Sequence, residues 1–372
     1  MTPEPGRLCR VPATPTPSPN RAMHRILTAS VCAAGLLAPH DLSTDYRPDR
    51  ILVVESTISF EAKVTDFEVL IDGQPPEGLE RASDQSSTLT ITTVHADQVM
   101  KTDDGSPTQV QREFRSLSGT TARSAGGEED STDLVSPLDG ATLELTDDDG
   151  EVAVTALGEN DLEEAQLKGH RLTLALDVLL PGDEMNEGDS WELDSEAIAD
   201  ALGIQRHGVL FPRRPADAGR GNGERGNGRR RGRRGGAQAG GLNELQHLDW
   251  EGTAELSGTE DYEGIDCWVI ELEMEATGEL PEQAQGRRGR DRAVQPPSTQ
   301  PALALQTTME IELKGRLLVS VEGRRPVHLH LNGDFGREME RSMDRGERTM
   351  EMTSSSEGTL TLNVDVSEES PE

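Results

Sequence analysis

Aromatic residues are scarce in this 372-residue chain. Five Phe, three Trp and two Tyr make up 3% of it, and hydrophobic residues together reach 33%. Such a composition cannot supply a large aromatic core, so we expect a thin aliphatic core and segments that stay outside it. No apolar run reaches the 18 or so residues that a membrane-spanning helix needs, and we therefore expect no transmembrane helix.

Basic residues are also few relative to acidic ones. The chain holds 36 Lys and Arg, only four of them Lys, against 69 Asp and Glu, for a formal net charge of −33. A chain this acidic repels nucleic acid and anionic membranes as a whole, so we expect no nucleic-acid partner. A strongly solvated surface that resists aggregation and an adaptation to salty surroundings both account for the charge.

Residues 23–38, MHRILTASVCAAGLLA, have the layout of a secretory signal peptide. His24 and Arg25 precede an apolar run of about a dozen residues that closes on a small residue, Ala38. We predict that translation starts at Met23, that residues 1–22 are an extra leader, and that cleavage occurs near Ala38. The predicted localisation is therefore outside the cytoplasm, in the periplasm or the extracellular space.

Cysteine is nearly absent from the predicted mature chain. Cys9 and Cys32 fall in the segment predicted to be removed, which leaves Cys267 as a single free thiol and rules out an intramolecular disulfide. Cys267 lies in an alternating segment, and we expect a neighbouring strand to shield it.

Alternation of apolar and polar residues with period two is the dominant signal from Ile51 onward, and it predicts half-buried antiparallel strands. Asp72–Gly73 and Asp147–Gly150 have the composition of tight turns. We predict a mainly β fold in one domain, residues 48–366: a large antiparallel sheet, barrel or half-barrel of about a dozen strands. The predicted strands are Ile51–Lys63, Phe67–Ile71, Ser87–Val94, Gln109–Arg115, Ala141–Leu145, Glu151–Ala156, His170–Leu180, Trp250–Ser257, Cys267–Thr277, Thr307–Val321, Pro326–Gly333 and Thr359–Val366.

Two short helices interrupt the predicted strands. Asp161 with Glu164 has the pattern of a capping box before Leu162–Leu167. Asp194 is placed to cap Ser195–Leu202, and Gly203 is a stop signal.

Several segments have compositions that cannot pack. Residues 213–240 contain nine Arg and nine Gly with no hydrophobic residue larger than Ala, so we predict a disordered insertion within the domain. Residues 281–301 are predicted to be a disordered basic, Pro-rich loop, and residues 367–372 a disordered acidic tail. Residues 116–134 are also expected to be loosely ordered.

The Arg/Gly run resembles segments that bind RNA, but export and the lack of interleaved aromatic residues argue against RNA here. Without the run and residues 1–38 the chain carries 23 basic and 66 acidic residues. A basic segment on so acidic a body is expected to bind that body, a second copy, or an anionic envelope polymer or lipid. A low-complexity insertion with no specific role is the simpler alternative. The arginines that would make such contacts are Arg213, Arg214, Arg229, Arg230, Arg231, Arg233 and Arg234.

His328 and His330 are the only weak candidates for a metal site. They lie two residues apart on a predicted strand, so both imidazoles leave the same face, a spacing that metal sites use. Glu310 and Glu312 share this spacing on another strand. Because strands place polar residues outward at every second position anyway, we predict no metal and no cofactor.

No catalytic constellation stands out. Carboxylates are too numerous for any two to be chosen as an acid–base pair, and Ser190 is not in a G-x-S-x-G elbow. We therefore predict a protein that is not an enzyme and name no catalytic residue. A hydrolase with an unidentified carboxylate site stays as an alternative.

Several blocks resemble uncharacterised exported bacterial β-rich proteins, in which LLP and an acidic turn followed by GDSW lead into a strand. The matching block here is Leu179–Leu193, LLPGDEMNEGDSWEL, and Ser136–Val154 and Gly315–Leu331 have similar patterns, as do Asp66–Glu68 with Asp72–Gly73. More distantly, the long strands with one or two short helices resemble the half-barrels of periplasmic lipoprotein carriers. The resemblance implies a concave sheet that holds a lipid or another apolar ligand.

The function expected from the sequence is thus that of an exported envelope or periplasmic protein that binds an apolar or amphipathic ligand. A surface protein that binds anionic polymer through the Arg/Gly run is the second expectation. Neither the ligand nor its binding residues can be named from the sequence.

Overall fold

A computed structural model describes residues 39–48, 50–76, 85–158, 162–212, 240–280, 303–345 and 348–370. The predicted signal peptide, the Arg/Gly run up to residue 239 and the Pro-rich loop at 281–301 lie outside the described residues. The fold is mainly β, as predicted, and it is built on one large antiparallel sheet.

Twelve strands form this sheet in the spatial order β6-β5-β3-β2-β1-β12-β11-β10-β9-β8-β7, with β4 paired to β3 off the main path. Within the described residues the edge strands β6 and β7 each have one neighbour, so the sheet is open. The strands are β1 (Ile51–Ile71), β2 (Gln85–Asp103), β3 (Ser106–Ala125), β4 (Glu128–Val135), β5 (Thr142–Asp148), β6 (Glu151–Leu157), β7 (Ser190–Leu193), β8 (Asp249–Tyr262), β9 (Ile265–Glu279), β10 (Leu303–Ser320), β11 (Arg325–Arg345) and β12 (Arg348–Glu369).

Acidic–glycine turns set the register of several hairpins. Asp104–Gly105 joins β2 to β3, Asp149–Gly150 joins β5 to β6, and Glu263–Gly264 joins β8 to β9, with positive φ at both residues of each pair. Two consecutive left-handed residues give the primed turn whose twist matches that of the flanking strands. The predicted turn at Asp147–Gly150 is therefore confirmed.

The two faces of the sheet differ sharply in polarity. On β1, Leu52, Val54 and Ile58 point to one face and are buried, whereas Glu55 and Glu61 point to the other face and are exposed. The pairing of strands carries this division across the sheet, because residues paired opposite each other share a face. One face is therefore an aliphatic core layer and the opposite face is solvated.

Helical segments cover the apolar face. Leucines from these segments, such as Leu176, Leu202 and Leu245, belong to the same buried cluster as the inward residues of the strands. Burial of each such leucine contributes about 1.5–3 kcal/mol relative to exposure. The segments are two 3₁₀ helices, Glu164–Leu167 and Ala175–Leu179, and three α-helices, α1 (Ser195–Ala201), α2 (Ile204–Leu210) and α3 (Gly240–Leu245).

Helix α1 forms where the sequence predicts it. The Asp194 carboxylate accepts a hydrogen bond from Ala197 N at 2.8 Å, and Gly203, with φ of +66°, ends the helix. Gly203 also opens α2, which the sequence analysis did not predict. No helix in the described part of the chain is long and apolar enough to cross a membrane.

Four predictions about local structure are wrong. His170–Leu180 was predicted as a strand but contains the 3₁₀ helix Ala175–Leu179, because its leucines pack down onto the sheet. Residues 116–134 are not loose, since they lie in β3 and β4. Residues 51–71 are one strand with a bulge at Val64–Asp66 rather than two strands. Residues 367–372 were predicted to be a disordered tail, but Ser367–Glu369 belong to β12 and pair with the start of β1.

Candidate functional site

A cavity of about 110 Å³ lies between the apolar face of the sheet and the helical segments that cover it. Four adjacent strands, β3, β2, β1 and β12, form its floor, and the segments around α1, α2 and α3 form its roof. The lining includes Val54, Ser56, Ile91, Thr93, His95, Arg112, Phe114, His170, Ala201, Arg206 and Leu362.

Most of the cavity wall is aliphatic, but one end is polar. Val54, Ile91 and Leu362 supply apolar surface from three neighbouring strands. The hydroxyl oxygens of Ser56 and Thr93, which lie opposite each other on β1 and β2, are 3.1 Å apart and share a hydrogen bond. Apolar walls with a few fixed polar groups are typical of small-molecule sites.

Arg112 and Asp97 form a buried ion pair at the polar end. Arg112 Nε donates to Asp97 Oδ1 at 2.7 Å and Nη2 donates to Oδ2 at 2.6 Å, and both residues are at most 3% exposed. Burial alone would raise the pKa of Asp97, but the positive charge of Arg112 holds it below its ordinary value. The pair is thus ionised, and Asp97 neutralises the charge of Arg112.

Arg206 brings a second positive charge to the cavity from α2. Its side chain is partly exposed as a whole, but its Nη2 is buried and has no hydrogen-bond partner within the part of the chain that the structure describes. Burial, together with the nearby charges of Arg112 and Arg171, lowers the pKa of Arg206 to about 10. The guanidinium therefore still carries its charge at neutral pH.

Two histidines near these arginines are neutral. Burial lowers the pKa of His95 to about 3 and that of His170 to about 4. His170 Nε2 lies 3.0 Å from the Gln166 carbonyl oxygen, which accepts a hydrogen bond if that nitrogen is protonated. Neither ring adds positive charge at pH 7. Arg112 and Arg171 have ion-pair partners, whereas Arg206 has none among the described residues.

A separate polar cluster anchors the roof of the cavity. Tyr46 donates a hydrogen bond to Asp177, and its hydroxyl accepts one from Leu174 N at 2.6 Å. Thr44 Oγ1 donates to the same carboxylate at 2.6 Å, and burial raises the pKa of Asp177 to about 6. These bonds tie residues 44–46 to the segment that presents Leu174 and Leu176 to the cavity.

The histidines singled out in the sequence lie on the opposite, solvated face. His328 Nδ1 is 2.7 Å from Asp365 Oδ1, and His330 Nδ1 is 2.6 Å from Asn363 Oδ1. Glu310 and Glu312 share that face on β10, but Glu312 pairs with Asp334 rather than with a histidine. No group of three potential metal ligands occurs among the described residues.

Cys267 is a buried free thiol on β9. Its Sγ donates to the Ile265 carbonyl oxygen at 3.4 Å, and Val269, Leu318 and Val327 form a small apolar cluster with it. Burial raises the pKa of the thiol to about 11, so the reactive thiolate is disfavoured. The arginines between residues 213 and 234 lie outside the described residues, and their predicted polymer or lipid partner stays a prediction.

The cavity residues were not identified in the sequence analysis, although a signal for some of them is present. His95 and Asp97 continue the inward register of Leu89 and Ile91 on β2. Arg112 likewise points inward on β3, between the buried residues Val110 and Phe114. Charged residues on the apolar phase of two strands would have marked the site, whereas Arg206 lies on a helix that carries no such pattern.

The arrangement is suited to binding. The cavity lining in the described residues holds two arginines and three histidines but neither Asp nor Glu, so it lacks the paired carboxylates that a glycosidase-type hydrolase needs. The hydrolase alternative therefore finds no support in this cavity and stays a prediction.

No family model matches this chain, and no curated protein matches it. Among solved structures, the chain is similar to an outer membrane channel from Pseudomonas putida F1, at 10% identity over 89% of this chain and 100% of the other. The TM-score of this match is 0.17. A likeness at that level carries no argument about fold or function.

Proposed function

We propose that this chain is an exported envelope or periplasmic protein that binds a small amphipathic ligand between its sheet and its helical roof. The cavity carries the proposal, because it combines aliphatic walls from three strands with buried polar groups at one end. The signal-like segment at residues 23–38 supports the exported location.

The size of the cavity limits the ligand. Its volume of about 110 Å³ is below the roughly 300–1,000 Å³ of sites for drug-sized molecules. It is of the same order as an engineered apolar cavity of about 150 Å³ that holds benzene. The apolar part of the ligand is therefore at most about the size of one six-carbon ring, and a complete lipid does not fit.

Titration of the purified full chain tests the proposal. We expect benzoate or its neutral analogue benzamide to bind with one-to-one stoichiometry in isothermal titration calorimetry, and to raise the melting temperature by mass action. Ala201→Leu extends a larger side chain from α1 into the cavity and is expected to weaken binding at least 10-fold.

Ala197→Leu provides the matched control, because Ala197 is on the same helix but does not line the cavity. We expect this variant to bind as the parent chain does. The proposal is wrong if neither compound binds the parent chain, or if a folded Ala201→Leu variant binds them unchanged.

A further inference from the structure

We infer that the ligand is a small monocarboxylate, whose carboxylate binds Arg206 at the polar end of the cavity while its apolar part contacts the aliphatic walls. This inference rests on the proposed function, and it adds the charge and the head group of the ligand. Its starting point is Arg206, which lines the cavity and whose buried Nη2 has no hydrogen-bond partner among the described residues.

A buried guanidinium nitrogen without a partner is costly, since it has lost its hydration without gaining a hydrogen bond. The described carboxylates nearby do not supply the missing acceptor. Both carboxylate oxygens of Asp97 accept from Arg112, and the Asp200 carboxylate is bonded to Arg171. An acceptor from outside the chain would satisfy Nη2.

Charge counting sets the sign and magnitude of the ligand charge. Arg112 forms an ion pair with Asp97, and Arg171 forms one with Asp200, whereas Arg206 forms no ion pair with any described residue. A single negative charge therefore completes the site, whereas a dianionic phosphate would overcompensate it. The planar fork of a guanidinium also matches a carboxylate, which it can bind through two parallel hydrogen bonds.

The remaining lining fits both the polar and the apolar part of such a ligand. Ser56 and Thr93 use one hydroxyl proton between them, so their pair still has one proton to donate. Val54, Ile91 and Leu362 have no polar side-chain atoms and offer only apolar contact. Together with the limited volume, this favours a short-chain or single-ring carboxylate.

Three molecules of one shape and different charge test the inference on the full chain: benzoate, benzamide and benzamidine. We expect benzoate to bind about 10- to 100-fold more tightly than neutral benzamide, the range of one charge-assisted hydrogen bond. Cationic benzamidine should show no measurable binding, because it would meet the unpaired guanidinium.

Arg206→Gln is the decisive variant. We expect it to bring the affinity for benzoate to within about 3-fold of that for benzamide in the same variant, and an unchanged circular dichroism spectrum reports that the variant is folded. Arg316→Gln, on the solvated face, is the control and should leave all three affinities unchanged.

The outcomes separate this inference from the proposed function. If benzamide and benzoate bind the parent chain equally, the cavity binds ligands but the carboxylate assignment is wrong. An Arg206→Gln variant that keeps the preference for benzoate would also overturn the assignment. If none of the three compounds binds, the proposed function itself fails.

Discussion

At the scale of single residues, the ion pair between Asp97 and Arg112 is the most consequential polar contact in the core. Both side chains are buried, and two hydrogen bonds join them. The cost of removing two charges from water nearly offsets their attraction, so the intact pair contributes little net stability. Loss of one partner is different, because the remaining charge stays buried without compensation.

We therefore predict that Asp97→Asn lowers the free energy of unfolding by about 3–5 kcal/mol. The double variant Asp97→Val with Arg112→Leu should recover most of that loss, because it leaves no charge behind. Urea denaturation followed by tryptophan fluorescence measures all three proteins.

The exposed pair Lys168–Glu164 provides the comparison, and Glu164→Gln should leave the urea midpoint unchanged. A loss under about 1 kcal/mol for Asp97→Asn would contradict the prediction, since that is the range of exposed pairs. So would a double variant that is less stable than the single one.

Residue-level function was the part that the sequence revealed least. The spacing of His328 and His330 matches a metal-site pattern, yet both side chains lie on the solvated face of β11. His95 and Arg112 matter because they face inward, which only the strand register establishes. A charged residue on a strand indicates a site only when the face to which its side chain points is known. That face is set by pairing with strands that are distant in the sequence.

At the scale of secondary-structure elements, four acidic residues line up across four neighbouring strands on the solvated face. Glu251 on β8 pairs with Glu275 on β9, Glu275 pairs with Glu312 on β10, and Glu312 pairs with Asp334 on β11. Like charges directly opposite each other on one face are destabilising. Repulsion along this row therefore lowers the stability of the sheet.

We predict that Glu275→Gln stabilises the protein at low salt by on the order of a few tenths of a kcal/mol, since it relieves repulsion from both neighbours. The gain should shrink in 0.5 M NaCl, because salt screens exposed charges. Urea midpoints at 20 mM and 0.5 M NaCl measure the effect.

Glu273→Gln is the matched control, two residues away on the same face of β9. Glu273 lies 2.7 Å from Lys314, so its neutralisation removes an attraction and should not stabilise the protein. Equal stabilisation by both variants would mean that net charge, rather than the row, determines the effect.

The strands and helix α1 were largely predictable, whereas helix α2 and the 3₁₀ helix Ala175–Leu179 were not. Alternation of polar and apolar residues identified most of the strands, and Asp–Gly pairs identified turns, because both signals are local. The bulge at Val64–Asp66 interrupted the alternation and made one strand look like two. Helix α2 and the 3₁₀ helix Ala175–Leu179 depend on packing against the sheet, which local patterns do not report.

At the scale of the whole molecule, the first and last strands of the sheet are neighbours near its centre. β12 lies between β1 and β11, and Ile51 pairs with Glu369. Leu360, Leu362 and Val364 of β12 belong to the main buried cluster. Without β12 the sheet would be divided into two halves, each with a newly exposed apolar edge.

We predict that deletion of residues 348–372 abolishes cooperative unfolding, because it removes the strand that joins the two halves. Circular dichroism during a thermal scan, combined with size-exclusion chromatography, would show a broad transition and aggregation. Deletion of residues 370–372 alone lies beyond β12 and should leave the transition sharp. A sharp transition for the longer deletion would show that the halves fold independently.

The composition had already indicated the general character of the molecule. A low aromatic content corresponds to a core built mainly of Leu, Val and Ile, and the excess of acid corresponds to a solvated face rich in Glu. Composition says nothing about which strands lie side by side. The open order of the sheet, and hence the place of the cavity, follows from pairings between residues far apart in the sequence.

The central place of β12 also has a consequence for the time at which the fold can form. It is the last strand in chain order, so a ribosome has made the other eleven before the centre of the sheet can close. Contacts between such distant segments form slowly, because a long loop must be closed first. The centre of the sheet is therefore expected to close after the hairpins on either side of it, such as β2–β3 and β8–β9, whose paired strands are neighbours in the sequence.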